Sequence, residues 1–128
     1  MRYLGIDYGT KKIGVAISDE EGSFAFPLVV VPNDKKALDT IAHICADKGV
    51  TQVVIGRSLN YKREENPLMA RVRAFAQSFI KLTGLSVAYE EEVLTTHEAS
   101  RELGKNAETD AAAAAIILRT YLERTRGR

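Results

Sequence analysis

Tyr3-Leu4-Gly5-Ile6-Asp7 and Ile13-Gly14-Val15-Ala16-Ile17 are two short apolar runs separated by a single turn. Runs this short and this rich in branched residues read as strands, so residues 2 to 8 and 11 to 19 are expected to form a hairpin around Tyr8 to Lys11. Strand alternation puts Leu4 and Ile6 on one face, and Tyr3, Gly5 and Asp7 on the other. If Gly5 lies opposite Gly14, that second face carries only Gly14, Ala16 and Ser18 on the neighbouring strand. So thin a surface lets a helix or a ligand come close, and it holds a carboxylate, Asp7, at its rim.

The rest of the chain determines what can cover that surface. Residues 23 to 31 read as a third strand, which Gly22 turns back against the second, completing an antiparallel meander. Pro27 cannot donate to a ladder, so this strand belongs at an edge or carries a bulge. Asn33 and Asp34 offer a helix cap, and Ala37, Leu38, Ile41, Ile44 and Cys45 recur at helical spacing up to Gly49. A short apolar strand, Thr51 to Gly56, leads into a polar loop from Arg57 to Asn66. A second helix then runs from Pro67 to Gly84, with Leu68, Val72, Phe75, Phe79 and Leu82 on its inner face. Ser86 to Glu91 reads as a fifth strand. Thr95-Thr96-His97-Glu98 fits a capping box, and Thr109-Asp110 opens a last helix through Leu122. Its Ala111 to Ala115 run suits a helix lying close against a sheet.

Alternating helices and strands argue for parallel pairing with helical crossovers, to which the meander adds antiparallel strands. The expected architecture is α/β: a five-stranded mixed sheet, with a three-strand antiparallel meander plus two parallel strands, flanked by helices. At 128 residues the chain fits one domain, residues 1–128. A hydrophobic share of 45% against 27% charged residues is ordinary globular usage. With a net charge of +1 there is no strong global field, so nucleic-acid binding has to come from local basic patches. The lone Cys45 reads as a core residue. No leader and no apolar span of membrane length is evident, so a cytoplasmic protein without membrane partners is expected.

Three acids stand out by position: Asp7 ending the first strand, Glu91 or Glu92 ending the fifth, and Asp110 opening the last helix. Parallel strands of an open α/β sheet present their C-terminal ends to one edge, where sites collect. Converging carboxylates there suit hard divalent ions such as Mg²⁺ and phosphoryl displacement. Each acid also has a plainer reading: a turn residue for Asp7, a solvated strand end for the glutamates, and a helix-dipole partner for Asp110. Arg57, Asn60, Tyr61, Lys62 and Arg63 follow the fourth strand, where the cations could meet phosphate and Tyr61 could stack on an unpaired base. Lys11 and Lys12 sit beside Asp7 and have the same capacity. His43 and His97 show no metal-ligand spacing.

Leu4-Gly5-Ile6-Asp7-Tyr8-Gly9-Thr10-Lys11-Lys12-Ile13-Gly14-Val15-Ala16 closely resembles the opening motif of the YqgF family, also called RuvX. Val54-Ile55-Gly56 with Leu59-Asn60, then Arg71 to Ala76, is similar to its middle segment. Leu94-Thr95-Thr96 with Glu98-Ala99 resembles its third motif, and Asp110 with Ala113-Ala114 and Ile117-Leu118 its fourth. The resemblance covers nearly the whole chain. It implies an RNase H-like fold and a metal-dependent nuclease, using Mg²⁺ or Mn²⁺, that matures the 5′ end of pre-16S rRNA in ribosome biogenesis. Resolution of Holliday junctions in branched DNA is the alternative it carries. By resemblance the catalytic and metal-binding acids are Asp7, Glu92 and Asp110, with Thr95 and Thr96 among the nucleic-acid contacts. The chain departs from the family in having Val93 where Arg is usual, Ser58 where Pro is usual, and a short, nearly neutral linker from Leu103 to Glu108. Weaker or narrower nucleic-acid binding is the expected consequence, and a weakened or inactive nucleic-acid or nucleotide-binding module is the reading outside enzymes. Monomer and homodimer are both compatible with the sequence.

Overall fold

The computed structural model describes residues 1–58, 68–92 and 107–126. Its elements are β1 (Arg2–Tyr8), β2 (Lys12–Ser18), β3 (Ala25–Pro32), α1 (Ala37–Lys48), β4 (Val50–Ser58), α2 (Met69–Thr83), β5 (Ser86–Glu92) and α3 (Ala107–Arg126). The strands form one mixed sheet in the order β3-β2-β1-β4-β5. β1 pairs antiparallel with β2, and β2 with β3, whereas β4 runs parallel to both β1 and β5. This is the expected meander with two parallel additions. β3 is an edge strand, and its register slips between Val15 and Ala16, opposite Val29 and Pro27. A proline without an N–H is accommodated there at no cost to a central ladder.

The first hairpin pairs Gly5 with Ala16 and Asp7 with Gly14, two residues away from the register that would set Gly5 opposite Gly14. A shift of two keeps every side chain on its face, so the thin surface survives. It is covered by a helix. A Cβ built at Gly5 would stand 2.8 Å from the Leu118 Cβ and 2.9 Å from the Ala114 carbonyl oxygen. One at Gly14 would run into the Asp110 carbonyl oxygen. α3 therefore crosses β1 and β2 at a separation only glycine permits, and its own Ala111, Ala113 and Ala114 are buried.

Two cores result. Leu4, Ile6, Ile13, Val15, Val53 and Ile55 face α1 and α2 and pack with Ile41, Cys45, Val72 and Phe79. On the other face Ala16 and Val54 pack with Ala114, Ile117, Leu118 and Leu122 of α3. Fully burying one such aliphatic side chain contributes about 2 kcal/mol, so both layers matter to stability.

Several boundaries differ from expectation. α1 has Lys36 at its N-cap with no side-chain cap bond. Asp34 instead accepts the Lys36 N–H at 2.9 Å one turn earlier, while Asn33 is drawn to the β1–β2 turn. Leu82, placed by periodicity on the inner face of α2, is instead 53% exposed, one residue before the helix ends, and lines an open cleft with Val50 and Leu85. Gly49 and Gly84 end α1 and α2 in the left-handed conformation as expected, at φ 71° and 76°. α3 begins at Ala107, so Asp110 lies within its first turns and not at its opening. Among the described residues no helix is long and apolar enough to cross a membrane.

Candidate active site

Asp7 ends β1 on the face that α3 covers, and its partner across the hairpin is Gly14. Gly14 is also where α3 touches down, since an added side chain there would collide with the Asp110 backbone. One glycine thus brings the Asp7 and Asp110 positions together, and both residues are half-buried. That is the juxtaposition the thin face made possible.

The β1–β2 turn forms the wall of the site. Gly9 N–H donates to the Lys12 carbonyl at 2.9 Å, and Asn33 holds the turn from outside. The Asn33 side-chain Nδ2 donates to the Gly9 carbonyl at 2.8 Å, and its backbone N–H donates to the Lys11 carbonyl at 2.9 Å. A cleft of about 280 Å³ opens between this turn and α3, lined by Gly9, Thr10, Lys11, Lys12 and Asp110. Lys11 and Lys12 are exposed and share the cleft with the acid. An anionic group can therefore be held by the lysines beside the Asp110 carboxylate.

At the other end of the sheet edge, β5 pairs Arg57 with Glu91 and Ser58 with Glu92. Arg57 is thus a strand residue and not the start of a loop: β4 runs to Ser58, two residues beyond the apolar segment. Glu92 is placed on the backbone of β5, but its side chain lies outside those described. So do Asn60, Tyr61, Lys62, Arg63, Val93, Thr95, Thr96, His97 and the Leu103 to Asn106 part of the linker. Among the described residues no group of three His, Cys, Asp or Glu side chains forms a metal site.

Three features around the site were not anticipated. Glu90, 7% exposed, is held by Arg124 of α3, whose Nη2 and Nε donate to Oε1 at 2.6 and 3.1 Å. The hydrogen bond and charge of Glu90 raise the Arg124 pKa, and the pair locks α3 to β5. Asn33 was read as a helix cap, and nothing in its local spacing reveals that its partner is a turn 24 residues earlier. Thr10, in the cleft beside the lysines, was legible only as part of the turn.

The family model described as "RuvX: Holliday junction resolvase" matches residues 1–124. A protein of Ruminiclostridium cellulolyticum, provisionally named a pre-16S rRNA nuclease, is 36% identical, the alignment covering 99% of this chain and 97% of that one. One from Chloroflexus aggregans with the same provisional name is 35% identical over 96% and 94% of the two chains. Among solved structures, RuvC of Thermus thermophilus in complex with a Holliday junction substrate superposes with a TM-score of 0.64 at 17% identity, covering 99% and 97% of the chains. The fowlpox virus resolvase in complex with junction DNA gives 0.62 at 13% identity, covering 98% and 99%. These likenesses identify the sheet and its helices as RNase H-like. With its opening hairpin, its glycine-seated last helix and a match along almost its whole length, the chain belongs to the RuvX family.

Proposed function

We propose that this chain is a cytoplasmic, metal-dependent nuclease that hydrolyses a phosphodiester in structured RNA, with the 5′ end of pre-16S rRNA as its substrate. The observation that carries the reading is the meeting of Asp7 and Asp110 at Gly14, beside a cleft walled by Lys11 and Lys12. The provisional name of the relatives that align end to end supports the choice of substrate.

The donors fit Mg²⁺ or Mn²⁺: the acids offer hard carboxylate oxygens, in a half-buried position where they gain from a neutralising cation. Asp7 and Asp110, with Glu92 from the end of β5, are the residues that would hold it. Bound there, the ion would neutralise charge on the phosphate and make water a stronger nucleophile at neutral pH. Lys11 and Lys12 bind the phosphate and orient it along the turn. The short hydrogen bonds of Asn33 keep that turn in one conformation, so little ordering remains to be done when substrate arrives. Glu90 and Arg124 tie α3 to β5, and Gly14 lets the segment that carries Asp110 sit against β2.

The description of the matching family model favours a second reading, resolution of four-way DNA junctions. Incubating the purified chain with a precursor rRNA fragment and with a four-way DNA junction, each with Mn²⁺ or Mg²⁺, separates the two. Cleavage of the RNA is expected. Cleavage of the junction alone would transfer the assignment to the resolvase reading, and cleavage of neither would leave a nucleic-acid-binding module without activity.

A further inference from the structure

A second cleft lies behind the β1–β2 turn, on the α1 and α2 side of the sheet. Its volume is about 330 Å³, and its walls include Tyr8, Asn33, Asp34, Leu38, Arg71 and Phe75. Nothing in the proposed hydrolysis uses it. We propose that this cleft seats an unpaired base of the nucleic-acid strand whose phosphate is held at Lys11 and Lys12. The proposal rests on the nuclease reading for the identity of that strand.

Three observations support it. First, the lining is partly aromatic: the Tyr8 and Phe75 rings stand 5.3 Å apart at 55°, and both residues are only half-buried. Two partly exposed aromatic residues lining an open cleft suit a planar ligand, and every base has a π-face. Second, the rim carries the exposed cation Arg71 from the first turn of α2, placed to take a backbone phosphate once the base is inside. Third, the two clefts are adjacent along the chain. Tyr8 lines this one and Gly9 lines the one shared with Asp110, while Asn33 lines this one and donates to the Gly9 carbonyl at 2.8 Å. The two clefts therefore share the β1–β2 turn and its Asn33 anchor.

Asp34 sharpens the ligand class. Its carboxylate is on the wall, with Oδ1 already accepting the Lys36 N–H at 2.9 Å. An acidic wall repels phosphate and favours a base edge that presents an exocyclic amino group. Cytosine, with its N4 amino donor, is accepted, and uracil, which carries a carbonyl oxygen at the same place, is disfavoured. The base seat and the phosphate clamp are thus assigned to different walls.

The test uses the full chain carrying Asp7→Asn, so that RNA is bound without being cut. Fluorescence anisotropy compares a short RNA duplex with blunt ends, the same duplex with a single-stranded cytidine tail, and one with a uridine tail. The cytidine tail is expected to tighten binding roughly tenfold, the scale of one stacked base. Arg71→Ala, an exposed position whose folding is checked by circular dichroism, should remove that gain and leave the blunt duplex unchanged. Asp34→Asn should abolish the preference for cytidine over uridine. Equal binding of tailed and blunt RNA, or a loss with Arg71→Ala that is the same for all three, overturns the proposal. If the unmodified chain cuts precursor rRNA while the tail has no effect, the base seat fails and the nuclease reading stands. A tail effect lost with Arg71→Ala in a chain that cuts nothing supports the seat and removes the nuclease.

Discussion

Gly14 is paired with Asp7 across the first hairpin and lies directly under the backbone of Asp110 on the last helix. The residue with no side chain is therefore the one at which the backbone positions of two acids come together. Gly14→Ala should force α3 off the sheet, destabilising the chain by about 3 kcal/mol in urea unfolding, at the upper end of ordinary overpacking costs. Any protein that still folds should have lost cleavage in proportion to the displacement of Asp110. Gly5→Ala, which meets Leu118 and Ala114 further along the same helix, should cost similar stability but less activity.

Asn33 anchors the turn that presents Lys11 and Lys12. Asn33→Ala removes the bond to the Gly9 carbonyl and should cost about 1 kcal/mol, the usual net value of one hydrogen bond. Asn33→Asp should be worse, because it sets an acceptor against a carbonyl oxygen. Denaturant titration of both variants beside the parent checks the order.

Glu90 and Arg124 join β5 to α3 in a bond between a buried acid and a half-exposed cation. Either Glu90→Gln or Arg124→Met should lower the thermal midpoint. In a double-mutant cycle the pair together should lose less than the two separate losses combined, because the second change no longer strands a partner. Strict additivity would mean that the contact contributes nothing to holding the helix.

Cys45, 2% exposed in the core, has its thiol pushed up to about 11 from 9.0 by burial. Folding therefore favours the neutral thiol: its contribution is intact below pH 9, falls as the unfolded thiol ionises above that, and is gone once pH passes the folded value. Urea stability of the parent should decline more steeply between pH 9 and 11 than that of Cys45→Ala, and the thiol should resist modification at neutral pH until the chain is unfolded.

Much of this fold is legible in the sequence because it follows from local pattern. Alternation alone assigns Leu4 and Ile6 to one face and Asp7 to the other, and Pro27 alone sends β3 to the edge. Hairpin register was less accessible, because a shift of two residues satisfies the same alternation; only the seating of α3 distinguishes Ala16 from Gly14 as the partner of Gly5. Leu82 fits the helical stripe yet is exposed, since periodicity marks a face of the helix and not how far the rest of the fold covers it. Asn33 and Arg124 were missed for a common reason. Their partners, Gly9 and Glu90, are distant in sequence, and no spacing rule connects them. For the site, position singled out Asp7 and Asp110, while choosing between Glu91 and Glu92 needed the family resemblance.

The central claim is that the carboxylate of Asp7 takes part in phosphodiester hydrolysis. It is tested most directly by assaying purified Asp7→Asn on a precursor rRNA fragment with Mn²⁺, beside the parent chain and with unfolding curves for both. The expected result is cleavage reduced to background at unchanged stability, since the substitution removes the charge but keeps the shape. Undiminished cleavage by Asp7→Asn would contradict the assignment.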